Sequence, residues 1–146
     1  MITNERQFKI TRSKARDLAA ALSGLNAGAN QQPDVHPRLV QAQHEALESQ
    51  LRDLDRELAE YESLKRTGPT SITLESFDEL PEGLIRARIA AGLSQRALAE
   101  LLGLTAQQIQ RYEAERYRSA SYHRLCEISR ALGIRIRNEI LFPQVP

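Results

Sequence analysis

The chain has no tryptophan, three phenylalanines and four tyrosines. Aromatics make up 5% of it while hydrophobic residues reach 41%, so a core must be built from Leu, Ile and Ala, a composition that favours helices. The single cysteine, Cys126, excludes an internal disulfide and fits a reducing compartment. No apolar run approaches the ~18–20 residues needed to span a bilayer. The opening MITNERQFKI lacks the basic-then-apolar order of a secretion signal. The expectation is a soluble, cytoplasmic chain with no membrane partner.

The chemistry of catalysis is equally thin. His36, His44 and His123 are scattered, and no two stand four residues apart on one helical face. With one cysteine, a structural zinc site lacks ligands, so neither a metal nor another cofactor is expected. No phosphate-cradling or dinucleotide motif occurs. Carboxylates cluster between residues 45 and 62, without a glycine-rich loop or a nucleophile nearby. The chain does not read as an enzyme. Cys126, beside Leu125 and Ile128, reads as a small buried side chain.

Charge is present but unevenly spread. The net charge is +1, yet residues 1–80 hold ten Lys/Arg against thirteen Asp/Glu, and residues 81–146 hold ten Arg against six Glu. A basic second half suggests that this half meets an anion.

Periodicity divides the chain into residues 1–66, a linker 67–79 and residues 80–146. Ile2 to Ile10 show no clear period and read as a strand or extended arm. From Thr11 the pattern is helical, with Leu18, Leu22 and Leu25 on one face and Gly24 and Gly28 as stop signals. The stretch GANQQPDVHP reads as a loop, and Pro37 suits the start of a long helix reaching about Arg66. Val40, Leu47, Leu51, Leu54, Leu58 and Tyr61 form its stripe, which takes the heptad alternation from Leu47 onward. Its outer face is acidic, with seven Asp/Glu against Arg52 and Arg56 over residues 45–62. This stripe is expected to cover the shorter helix as a hairpin and to pair with a second subunit.

Beyond the linker, Ser76 and Glu79 have capping-box spacing and Pro81 suits an early helical position. Four helices are expected at about 81–91, 94–102, 105–113 and 121–132. Ile134 to Ile140 alternates with period two and reads as a short strand. The fold class is therefore all-α, an N-terminal helical hairpin linked to a five-helix-type domain ending in that strand.

Within Ser94–Tyr112, Ser94 caps a helix whose inner side is Leu98, Ala99 and Leu102. Gly103 makes the turn, Leu104 fills the core and Thr105 caps the next helix, which Ile109 and Tyr112 anchor inward. Ala106, Gln107, Gln108, Gln110 and Arg111 remain outward. A glutamine amide matches adenine and an arginine fork matches guanine, whereas a surface for phosphate alone would need only Lys or Arg.

The run GLSQRALAELLGLTAQQIQRYEAE, followed by a helix ending RALGI, resembles the Cro/repressor-type (Xre) helix-turn-helix family. The resemblance covers Leu84 to Ile134 and implies a repressor that binds a palindromic double-stranded DNA operator as a homodimer. It places Gln95 and Thr105 on phosphate, with Ala106, Gln107, Gln108 and Arg111 on bases; Gln110 joins the bases from its outward position, and Arg96, Arg116, Tyr117 and Arg118 are further candidates for phosphate. Glu113 takes a structural role at the end of the recognition helix. The glycine usual after it is missing, replaced by AERYRSAS. Two elements are candidate dimer devices, the stripe at 40–61 and the strand at 134–140; proximity to the DNA-binding helices favours the strand. The layout also resembles Xre-type antitoxins, in which the N-terminal half would bind a toxin protein. The alternative is a stand-alone repressor whose N-terminal helices only oligomerise or sense an effector.

Overall fold

The structure is a computed structural model, which describes residues 1–28, 36–137 and 142. It comprises six α-helices, α1 (Glu5–Gly28), α2 (Pro37–Thr67), α3 (Leu80–Ala90), α4 (Gln95–Leu102), α5 (Ala106–Ala114) and α6 (Tyr122–Ala131), with a 3-10 turn at Phe77–Glu79. No strand occurs among the described residues. The chain divides into two compact units, Met1–Pro69 and Thr70–Pro146.

The first unit is an antiparallel hairpin of α1 on α2. The expected strand or arm at 2–10 is instead helix from Glu5 onward. The reason lies in the packing of that segment: Phe8 stacks on Tyr61 with ring centroids 5.3 Å apart, and Ile2, Phe8, Ala15 and Leu22 are buried. With Thr11, Leu18 and Leu25 half-buried between them, these residues form a heptad stripe that nine residues read alone do not reveal. The helix also runs through Gly24, since one internal glycine costs only ~1 kcal/mol against such packing. His36 caps α2 through Nδ1, which accepts from the Arg38 N–H, and Pro37 follows as the first helical residue. Most of the expected loop between the two helices lies outside the described residues.

The second unit packs α4 against α5 and α6. Leu84, Ile85, Leu98, Ile109 and Ile128 are its most completely buried side chains. Ser94, Thr105 and Ser121 each accept a hydrogen bond from a backbone N–H in the first turn of the helix they precede. Ser76, by contrast, makes no side-chain cap; Glu79 reaches the Glu75 N–H instead, at 3.0 Å. The terminal strand is not found. Residues 134–137 carry no regular structure, and the rest of the expected strand lies outside the described residues.

Candidate nucleic-acid interface

The turn between α4 and α5 is set by Gly103, whose φ of 65° lies in the left-handed region that a Cβ disfavours. Leu104 then returns to the core side, its N–H donating to the Ala99 carbonyl at 2.8 Å. Ala99 is buried where α4 meets α5, so the two helices can approach closely. Thr105 and Gln108 form a reciprocal capping box at the start of α5. The Gln108 N–H donates to Thr105 Oγ1 at 3.2 Å, and Gln108 Oε1 accepts from the Thr105 N–H at 2.9 Å. Ile109 is fully buried beneath α5 and fixes which side of it faces out.

That outer side carries Gln107, Gln110 and Arg111, all exposed. Together with Thr105, Gln108 and Ala114 they line a shallow depression. A second depression shares Ala114 and is lined by Glu115, Arg116, Arg118 and Ser119. Ala106 is half-buried at the first turn. Gln108 is also half-buried, and its carbonyl oxygen is already committed to the cap. Of the five side chains expected at bases, Gln107, Gln110 and Arg111 are those the fold leaves extended into solvent.

The residues expected at phosphate separate into two sets. Arg96, Thr105, Arg116 and Arg118 are exposed, with Arg96 held by Glu100 at 3.0 Å one turn along α4. Gln95 is turned inward and only 7% exposed, its side-chain amide donating to Glu113 Oε2 at 2.7 Å. Tyr117 is turned inward as well, 3% exposed and stacked on Tyr112 with centroids 6.0 Å apart. Its hydroxyl is buried without a hydrogen-bond partner. Burial, and then the negative Glu113 nearby, raise its pKa.

The inward turn of Tyr117 has a backbone origin. Where the family resemblance leads one to expect glycine, Arg116 and Tyr117 both adopt positive φ, 50° and 55°. Each non-glycine residue held there costs roughly 1–2 kcal/mol. This conformation closes α5 through a Tyr117 N–H bond to the Tyr112 carbonyl and turns the Tyr117 ring into the core. The absent glycine signals a changed loop; the direction of the tyrosine depends on dihedrals that residue types alone do not specify.

One residue behind the interface escapes sequence reasoning. Arg88 on α3 is 2% exposed and forms a fork with Glu113, its Nη2 donating to Oε2 at 2.8 Å while Nε donates to Oε1. Its Nη1 donates to the Leu93 carbonyl at 2.7 Å. Glu113 therefore gathers Arg88 and Gln95, tying the end of α5 to α3 and to the start of α4. Such a pair is costly to break from one side, by ~3–5 kcal/mol, because the remaining charge is left buried. The signal was available: Arg88 lies within the apolar stripe Leu84, Ile85 and Ile89, where a cation needs a buried acid.

No group of His, Cys, Asp and Glu suited to a metal ion occurs among the described residues. No helix among them is long and apolar enough to cross a membrane. Cys126 is half-buried on α6.

Comparison with known families agrees with this geometry. The model of a family described as helix-turn-helix matches residues 84–137, which run from α3 through α6. No curated protein and no solved structure gives a significant match. The matched segment includes both helices of the turn, the Arg88–Glu113 pair that braces them and the exposed glutamine–arginine side of α5. Residues 84–137 are thus a helix-turn-helix domain of the Cro/repressor type.

Proposed function

We propose that the chain is a transcriptional regulator that binds double-stranded DNA by laying α5 in the major groove. The observation that carries this reading is the exposed row Gln107, Gln110 and Arg111 on a helix capped at one end and braced by a buried ion pair at the other. A helix so held presents this row from a backbone that needs no further ordering, which favours direct recognition of base edges. Arg116, Arg118 and Arg96 supply phosphate contacts around it, and the exposed start of α5 adds the Thr105 region.

A single helix of this length offers few base contacts, so the regulator acts as a homodimer on inverted half-sites about one DNA turn apart. Selection of sites from random duplex DNA tests this. The expected product is an inverted repeat, in which Arg111→Ala relaxes one base pair per half-site.

A finer reading makes the chain the antitoxin of a type II toxin–antitoxin pair, with the N-terminal unit holding the toxin. The acidic run at 45–62 favours it, since a negative helical face complements a basic nuclease-like protein. Co-expression of the full chain with the product of an adjoining basic reading frame tests it. A stoichiometric complex supports the antitoxin, and two separate proteins leave a stand-alone repressor.

A further inference from the structure

The hairpin leaves part of its own stripe uncovered. On α2, Tyr61 and Leu64 are buried, whereas Val40, Leu47, Leu51, Leu54 and Leu58 are only half-buried. Two helices shield only the sides they turn to each other, and stripes of heptad spacing are completed by further helices.

The charge pattern says what completes this one. The flank of α2 turned towards α1 is marked by buried Leu64 and by Glu57, which accepts from the Met1 ammonium at 3.0 Å. At ~100° per residue, Glu48, Asp55 and Glu62 fall on the opposite flank of the stripe. Asp55 and Glu62 are exposed and enter no ion pair among the described residues. On α1, Arg12 and Arg16 follow the stripe members Thr11 and Ala15 and are likewise exposed and unpaired among the described residues. The Phe8–Tyr61 stack and the Lys65–Glu5 bridge of 2.9 Å bring this basic part of α1 level with the acidic stretch Asp55–Glu62 of α2.

We infer that the occupant is a second copy of this chain. Two hairpins join as a four-helix bundle about a two-fold axis parallel to the helices, with Arg12 and Arg16 facing Asp55 of the partner subunit and Glu62 of the partner subunit. A perpendicular axis would instead set Arg12 and Arg16 against about residues 46–51 of the other α2, where Glu48 is the single acid. The parallel arrangement also sends both chains out of the bundle at one end. A perpendicular one would part the exits by the length of the 31-residue α2, ~45 Å. The inference deepens the dimeric reading of the operator by assigning dimerisation to the hairpin rather than to the C-terminal segment.

Sedimentation of the full-length chain is the test. The wild type is expected to be a dimer. Arg12→Glu with Arg16→Glu, and separately Asp55→Arg with Glu62→Arg, should each raise its dissociation constant roughly tenfold or more, and mixing the two variants should restore association. Leu54→Asp should yield monomers. A spin label at Arg66→Cys in a Cys126→Ser background should report ~20–30 Å between subunits, about two helix diameters. A monomeric wild type, charge reversals without effect, or a label distance of ~45 Å or more would overturn the inference. So would a chain that is monomeric alone and forms only a one-to-one complex with a basic protein. A monomer whose DNA binding still depends on Arg111 would sink the dimer while leaving the groove reading intact; a dimer with no DNA preference would do the reverse.

Discussion

The two units place their apolar surface differently. In the helix-turn-helix unit, short helices of eight to eleven residues enclose side chains such as Leu84, Leu98, Ile109 and Ile128, which are almost completely shielded. In the hairpin, helices of 24 and 31 residues leave four consecutive stripe leucines half-covered. The first arrangement thus completes its core within one chain, whereas the second leaves apolar surface partly uncovered, the surface to which we assign the dimer. Charge differs in the same way. The cation central to the DNA-binding unit, Arg88, is buried and paired, while the cations of α1 lie at the surface, where single pairs contribute only ~0–1 kcal/mol.

Substitutions at matched positions should expose this difference. The largest effect is expected at Glu113→Ala, which strands Arg88 and should destabilise the second unit by ~3–5 kcal/mol in thermal or denaturant unfolding. Ile109→Ala removes a fully buried side chain and should cost ~2–5 kcal/mol. Leu54→Ala should cost clearly less in dilute, dissociated protein, and its cost should grow with protein concentration as the dimer forms. Equal and concentration-independent losses at Ile109 and Leu54 would erase the distinction between the two units.

Effects on DNA binding come next in size. Arg111→Ala should cost ~1–3 kcal/mol on a selected operator and relax choice at one position. Arg118→Ala should weaken binding to all sequences alike and lower the salt slope by ~1. Wild-type affinity of both variants for the operator would mean that another helix enters the groove.

The smallest effects concern the closing loop. Arg116→Gly should stabilise the fold by ~1 kcal/mol by relieving a positive φ, while weakening phosphate binding. Tyr117→Phe should be neutral or stabilise by up to ~1 kcal/mol, because the hydroxyl it removes is buried and unpartnered. It should leave DNA affinity unchanged. Above pH ~10 the unfolded chain releases the Tyr117 proton that the folded chain retains, so unfolding becomes easier as pH rises. The variant should lose that component of alkaline denaturation.

The helix-turn-helix was legible in residue types because its signals are local. Ser94, Gly103 and Thr105 each act within one helical turn of their own position, and Ile109 follows at helical spacing. The start of α1 was not, because Phe8 acquires its meaning only from Tyr61, more than fifty residues away. Gln95 and Tyr117 carry groups that suit phosphate, yet their directions are decided by Glu113 and by loop dihedrals. Polar chemistry shows what a side chain could bind, whereas burial decides what it meets. The period-two pattern after Ile134 has no described partner strand, and pairing is what turns such a pattern into a sheet.

Binding-site selection with wild-type protein and with Arg111→Ala decides whether the exposed side of α5 reads bases. An enriched inverted repeat with half-site centres ~10 base pairs apart is expected for the wild type. The variant should select the same repeat, with information lost at one base pair in each half. Identical selected sequences for the two proteins, or none enriched by either, would contradict a reading role for the exposed side of α5.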